Sequence, residues 1–335
     1  MKRTDLFAAI VLASAAPAAA QDADWANVIE AAKREGSVTV YNAGLGVPLY
    51  NEIARSFTAK YGVRVETITG RGSEMTERIR TEHAGNRFVG DVEAHSATNL
   101  SEQTRVGGFL RPHGGVPNMA NLREPFVARP SQIPMYVQAY GMLANTNVVK
   151  AGETPRVWRD LLDPRWKGKI LQDDPRPSGA GNGMFGVLYK AYGREFHEKL
   201  AAQRPVFSRD SANDVRRVAR GEFAFFIPLT YGLASDLKGL PVKPVVPEDG
   251  SPYSTIDFGV LANAPHPNAA RLLINHFLEA SSQLVYANGW LPPVVKGVIE
   301  TASEDARVFA SAKLMGTTTP EEREELTRLA TEIYK

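Results

Sequence analysis

The chain has 335 residues, 43% of them hydrophobic and 23% charged, with a formal net charge of +2 and no cysteine. That length accommodates two ordinary domains, and a small net charge with both signs interspersed argues against nucleic acid or an anionic membrane surface as the partner. The missing cysteines exclude disulfides, thiolate catalysis, cysteine–zinc sites and a lipid-anchored form.

Residues 1–20 read MKRTDLFAAIVLASAAPAAA, with basic Lys2 and Arg3, an apolar run over 6–16, and a small-residue end at Ala18, Ala19 and Ala20. This is the pattern of a secretory signal cleaved before Gln21, which makes the mature protein periplasmic. The apolar run is too short to span about 30 Å of hydrocarbon.

Residues 37–41 (SVTVY) form a predicted strand, 48–61 a helix with Leu49, Ile53 and Phe57 on one face, and 63–69 a second strand with alternating Val63, Val65 and Thr67. Strand–helix–strand at this spacing predicts a parallel βαβ unit. Ser73 is the expected cap of a helix reaching about Ala84, and 88–95 reads as the next strand. Residues 107–134, rich in Gly and Pro, cross irregularly, and a first interdomain crossing is expected over 133–137. A short strand at 169–172 then feeds a Pro/Ser/Gly-rich loop that opens a helix, a geometry that aims backbone N–H groups at an anion. Helices at 184–192, 194–203 and 212–220 and a strand at 223–229 follow, then a second crossing at 254–258. Helices from Asn268, Ser281, Ser303 and Thr319 close the chain.

The block TPRVWRDLLDPRWKGKILQDDPRPSGAGNG over 154–183, with PHPNAARLLINHFLEASSQ over 265–283 and Trp290-Leu291-Pro292, resembles the solute-binding proteins of bacterial ABC importers, in the branch of ferric-iron, phosphonate and sugar-phosphate binders. The resemblance implies an α/β, two-lobed type II periplasmic-binding fold with two interdomain crossings and a ligand cleft between the lobes. Lobe 1 is expected over 21–134 plus 258–335 and lobe 2 over 135–257. It also implies a monomer that closes over a solute by hinge motion and is read by an ABC permease and ATPase complex.

Open α/β sheets bind ligands beyond their strand ends, which selects four loops. The first offers Tyr41, Asn42 and Gly44, against the plainer reading of a strand-to-helix turn. The second offers Arg71, Gly72 and Ser73, a guanidinium fork beside a helix start. The third offers Arg176, Ser178 and Gly179, expected to repeat the second loop's geometry on the opposite lobe, with Arg176 alternatively bracing the loop through Asp173 or Asp174. The fourth offers Thr230 and Tyr231; Ser96, at the end of the 88–95 strand, joins them ahead of His95. Tyr41 and Tyr231 are expected to flank the solute's body.

Ferric binders of the resembled branch use two adjacent tyrosines after the strand equivalent to 223–229, where this chain has Thr230 and Tyr231. Leu45 stands where many carry a histidine, and the expected acidic ligand falls near Ser96. One phenolate with neutral neighbours is a poor cage for a hard cation, so no metal or cofactor is assigned and a small anionic organic solute is expected: a carboxylate, phosphonate or phosphate ester. The alternative is ferric iron held by Tyr231 with a synergistic anion. An enzyme is disfavoured, because no H-E-x-x-H, G-x-S-x-G or Walker pattern appears among these residues.

Overall fold

The computed structural model describes residues 16–44 and 47–335. Most of the expected leader, residues 1–15, and Leu45 and Gly46 of the first loop lie outside the described residues. The first half of the chain runs α1 (Ala16–Glu35), β1 (Ser37–Asn42), α2 (Val47–Tyr61), β2 (Arg64–Thr69), α3 (Gly72–Ala84), β3 (Val92–Ser96), α4 (Ala97–Gly107), β4 (Leu110–Arg111) and β5 (Ile133–Asn145). It continues through β6 (Ile170–Asp173), α5 (Ala180–Ala202), β7 (Val206–Ser208), α6 (Ser211–Ala219), β8 (Phe225–Thr230), β9 (Val242–Val245) and β10 (Ser251–Leu261). Last come α7 (Pro267–Phe277), α8 (Ala280–Asn288), α9 (Glu304–Ala310), β11 (Leu314–Gly316) and α10 (Arg323–Ile333).

The strands make one continuous, curled sheet in the order β2-β1-β3-β10-β5-β8-β6-β7. β1 pairs in parallel with both β2 and β3, as the βαβ spacing requires. Antiparallel β10 and β5 occupy the centre, and each also pairs outward, β10 with β3 and β5 with β8. The expected crossings at 133–137 and 254–258 are therefore segments of two long paired strands rather than separate linkers. On either side of the β10/β5 seam the order is the same: a lobe-1 half β2-β1-β3-β10 and a lobe-2 half β7-β6-β8-β5.

Packing follows from side-chain alternation. In β1, Val38 and Val40 face a core shared with Ile53 and Phe57 of α2, while Tyr41 faces a smaller cluster with Met75 and Ile79 of α3 and Leu100 of α4. In the second lobe, Met142 and Ala144 of β5 join Phe185 and Leu188 of α5. Leu326, Leu329 and Tyr334, in and just after α10, enter that same core. The expected assignment of 258–335 to lobe 1 thus stops short of α10, whose apolar stripe finds its partner on lobe 2. Burying each such leucine contributes about 2 kcal/mol. The two helices expected at 184–192 and 194–203 are joined as α5, broken at Gly193, whose φ of 74° lies in the left-handed region where glycine carries no Cβ penalty.

β3 carries Glu93 into the lobe-1 interior just before the strand reaches the cleft. Gln103 Nε2 donates to its Oε1 at 3.0 Å, its Oε2 is unpartnered, and burial pushes the carboxyl up to about 7. A raised carboxyl pKa means that stability is greatest while Glu93 is protonated and declines as pH climbs from the unfolded value through 7. The neutral variant Glu93→Gln should exceed the wild type at pH 8 by about 2 kcal/mol, with the gap closing by pH 4, as checked by denaturant melts across that range.

Candidate functional site

Through parallel pairing, the C-terminal ends of β1, β2 and β3 lie side by side on lobe 1, and those of β6, β7 and β8 on lobe 2. On lobe 1, β1 stops at Asn42, whose Oδ1 accepts the Gly44 N–H at 2.9 Å and tightens the turn. A Cβ on Gly44 would lie 2.8 Å from the Tyr136 hydroxyl, so the absence of a side chain lets this turn sit on the seam. β2 stops at Thr69, and Arg71 is the N-cap of α3, two residues earlier than the expected Ser73. Glu74 Oε2 accepts the Arg71 backbone N–H at 3.0 Å, which closes the helix start. The Arg71 guanidinium is exposed and makes no ion pair among the described residues, and Ser73 is exposed beside it.

Behind this loop stands His95. Its Nδ1 accepts from the Ser96 N–H at 2.7 Å and lies 3.2 Å from Asn99 Nδ2, leaving Nε2–H to the Gly72 backbone. Burial lowers its pKa to about 4, so the ring is neutral and acts as a spacer under α3. Asn99 also donates to Ser96 Oγ at 2.8 Å and accepts from Arg323 Nη2 at 3.1 Å. Arg323, on α10, thus links the lobe-2 core to the start of α4. Nothing local in the sequence signals this contact, because Arg323 and Asn99 are far apart along the chain and only the fold brings them together.

On lobe 2, β6 ends at Asp173, and its Oδ2 accepts the Gly181 N–H in the first turn of α5 at 2.6 Å. Ser178 and Gly179 are exposed at the loop tip. Arg176 turns inward: its Nε and Nη2 donate to Asp174 at 2.8 and 2.9 Å, Nη1 reaches the Tyr334 carbonyl, and the guanidinium lies over Phe207. Arg176 braces the loop and is corrected from ligand contact to structural support. The matching strand orders also correct the expected loop equivalence. The loop after β6 corresponds to the one after β1, and the lobe-2 counterpart of Arg71 is Arg209, immediately after β7. Arg209 is exposed, and its charge acts on Asp173.

Both expected aromatic flanks are also corrected. Tyr41 is fully buried, its hydroxyl donates to Glu82, Arg78 stacks on its ring, and burial raises its pKa to about 12. Strand alternation points it at α3, one residue out of phase with the cleft. Tyr231 is fully buried against Phe309, its hydroxyl 2.7 Å from Ser251 Oγ, and burial raises its pKa strongly. Thr230, directly before it, is buried at the end of β8 beside Tyr140 in register.

The side chains that do line the seam are Tyr136, Gln138 and Tyr140 on one side of β5, with Ser254 opposite Gln138 on β10. The Tyr140 hydroxyl is 2.8 Å from Ser254 Oγ, and a Cβ on Gly183 at the start of α5 would lie 3.9 Å from the Tyr140 ring. The signal in the sequence was a period-two polar–aromatic row, Tyr136-x-Gln138-x-Tyr140, inside an apolar strand. A separate groove of about 630 Å³ runs along α3, lined by Ser73, Glu74, Glu77 and Glu82 among others; its carboxylates have the wrong sign for an anion, and it lies on one lobe alone. Among the described residues no cluster of three or more His, Asp or Glu side chains could hold a metal ion.

Two like-ordered α/β lobes hinged on a shared antiparallel seam, with loops facing each other across it, define a type II periplasmic-binding protein. The chain belongs to the bacterial extracellular solute-binding protein family, whose sequence profile matches residues 113–311. By that membership the protein is a bacterial extracellular solute-binding protein. Among curated sequences it is similar to the iron uptake protein A1 of Synechocystis, 24% identical over 272 residues that span 74% of this chain and 73% of that one. Among solved structures it superposes on the apo ferric ion-binding protein A of Pasteurella haemolytica with a TM-score of 0.72 at 17% identity, covering 89% of this chain and 98% of that one. The periplasmic binding protein AfuA of Actinobacillus pleuropneumoniae, with exogenous fructose-6-phosphate bound, gives 0.69 at 20% identity, again covering 89% and 98%.

Gly72 is the tightest point of the lobe-1 wall: a Cβ there would fall 2.3 Å from His95 Nε2. His95 is pinned and buried, so it cannot move aside cheaply. Gly72→Ala should cost about 1–3 kcal/mol and displace the start of α3; a thermal melt unchanged from wild type would show that the ring yields.

Proposed function

We propose that the protein captures a small organic anion, a carboxylate, phosphonate or phosphate ester, between its lobes and presents it in the closed state to an ABC permease and its ATPase. The observation that carries this reading is Arg71: an exposed guanidinium with no ion pair among the described residues, in the loop after β2 and at the N-cap of α3. Ser73 follows Arg71 in the first turn of α3, Ser96 ends β3 on the same lobe, and Arg209 holds the equivalent position on the facing lobe. Charged hydrogen bonds of this kind contribute about 1.5–3 kcal/mol each, so a few of them reach micromolar affinity once closure excludes water. The fructose-6-phosphate seen in the AfuA structure is a ligand of this chemical class.

The competing reading is ferric iron with Tyr231 as a ligand and a synergistic anion, in line with the iron uptake protein and the ferric ion-binding protein named above. Its difficulty is local. Tyr231 would have to leave the core, give up its contact with Ser251 and ionise at a position where burial favours the protonated phenol.

A thermal-shift panel of carboxylates, phosphonates, phosphate esters and ferric citrate separates the two, since a bound ligand adds stability as RT ln(1 + [L]/Kd). Stabilisation by an organic anion is expected, with Arg71→Ala weakening its Kd at least tenfold by calorimetry. A visible charge-transfer band with Fe³⁺ that vanishes in Tyr231→Phe, with no response to any metal-free anion, would establish the iron reading instead.

A further inference from the structure

Asp173, at the end of β6, is a carboxylate at the start of a loop where the sequence led us to expect an anionic ligand. Its Oδ2 is committed to the Gly181 N–H at 2.6 Å, in the first turn of α5. A negative charge already sits at the positive end of that helix, so the pull α5 would exert on an incoming anion is largely offset. The same bond orients the carboxylate. Oδ1 has no hydrogen-bond partner among the described residues, and Asp173 is only partly buried, so this oxygen can be reached from the cleft.

The surroundings make a free oxygen costly there. Desolvation pushes the carboxyl up to about 6, opposed by the Gly181 bond and the charge of Arg209 and reinforced by Asp214 and Asp174. The charge also reaches Tyr140, whose hydroxyl is already engaged by Ser254. An oriented acceptor beside the seam matches a solute that brings its own donor. The opposite wall offers exposed Arg71 at the start of α3, and Arg323 of α10 reaches that wall through Asn99 at the start of α4.

We propose that Asp173 selects solutes by accepting a hydrogen bond from an ammonium or hydroxyl group at the end of the molecule remote from its anion, the anion resting on the lobe-1 loops. The cleft is then bipolar, and a solute with a donor at one end and a phosphate or carboxylate at the other meets the complementary sign on each lobe. A molecule anionic at both ends is rejected by Asp173, a repulsive element that sharpens specificity. This inference rests on the anion-binding reading, and the two fail differently.

The test is calorimetry with three matched probes: ethyl phosphate, which lacks a donor; glycerol 3-phosphate, which brings hydroxyls; and phosphoethanolamine, which brings an ammonium. The wild type should bind one of the donor-bearing probes at least tenfold more tightly than ethyl phosphate, and the probe preferred tells hydroxyl from ammonium. Asp173→Asn keeps the bond to Gly181 through its carbonyl and turns an amide toward the solute, so the preference should shrink to threefold or less. Equal binding of all three probes by the wild type overturns the role of Asp173 while leaving the anion reading intact, as does a preference that survives in Asp173→Asn. Binding of none of the three, together with no stabilisation by any carboxylate or phosphonate in the thermal-shift panel, overturns the anion reading itself. The wild-type comparison decides the matter even if the variant folds poorly.

Discussion

The geometry of the cleft depends on one interaction, the antiparallel pairing of β5 and β10. Tyr253 to Ile256 lie in register with Ala139 to Tyr136, and the register shifts only between Ile256 and Asp257. Each strand then pairs outward on the opposite side of the seam, β10 with β3 and β5 with β8. Because β5 and β10 are joined by ladder bonds, small changes of twist spread over several residues let the lobes rotate without breaking that ladder. The same ladder fixes which side chains form the floor, since a one-residue slip would exchange Tyr136, Gln138 and Tyr140 for Val137 and Ala139.

The two walls built on that floor have opposite polarity. Lobe 1 turns helix starts and Arg71 toward the gap, with His95 neutral beneath them. Lobe 2 puts Asp173 at the helix start that the Ser/Gly-rich loop seemed to keep open, and ties Arg176 down to Asp174. A loop rich in Ser and Gly signals that a backbone can approach something closely; in this protein part of what it approaches is the carboxylate that closes its own strand. In the bipolar reading proposed above, specificity would come from a difference of charge between the lobes rather than from a uniform positive field.

The C-terminal helix adds a second tie between the halves. Its apolar stripe is anchored in the lobe-2 core through Leu326 and Leu329, and Arg323 extends to Asn99 on lobe 1. Closure must accommodate or remake that contact, which makes α10 part of the hinge mechanics as well as of the core.

Much of this was legible from residues alone. The βαβ start at 37–69, the helices along the last third and the strand-to-loop-to-helix block at 169–183 are local patterns, and local patterns are governed by side-chain periodicity and turn chemistry that act within a few residues. The family resemblance rested on the same contiguous blocks. What only the tertiary structure decided was orientation and partnership. Tyr41 and Tyr231 stand at strand ends as expected, yet point into cores, because the phase of a strand against its neighbours is a long-range property. Asp173 and Gly181 are eight residues apart in sequence, and only the folded turn sets their meeting. Whether a polar side chain faces a ligand or another part of its own chain is settled by what the fold brings next to it, and the linear order of residues does not encode that distance.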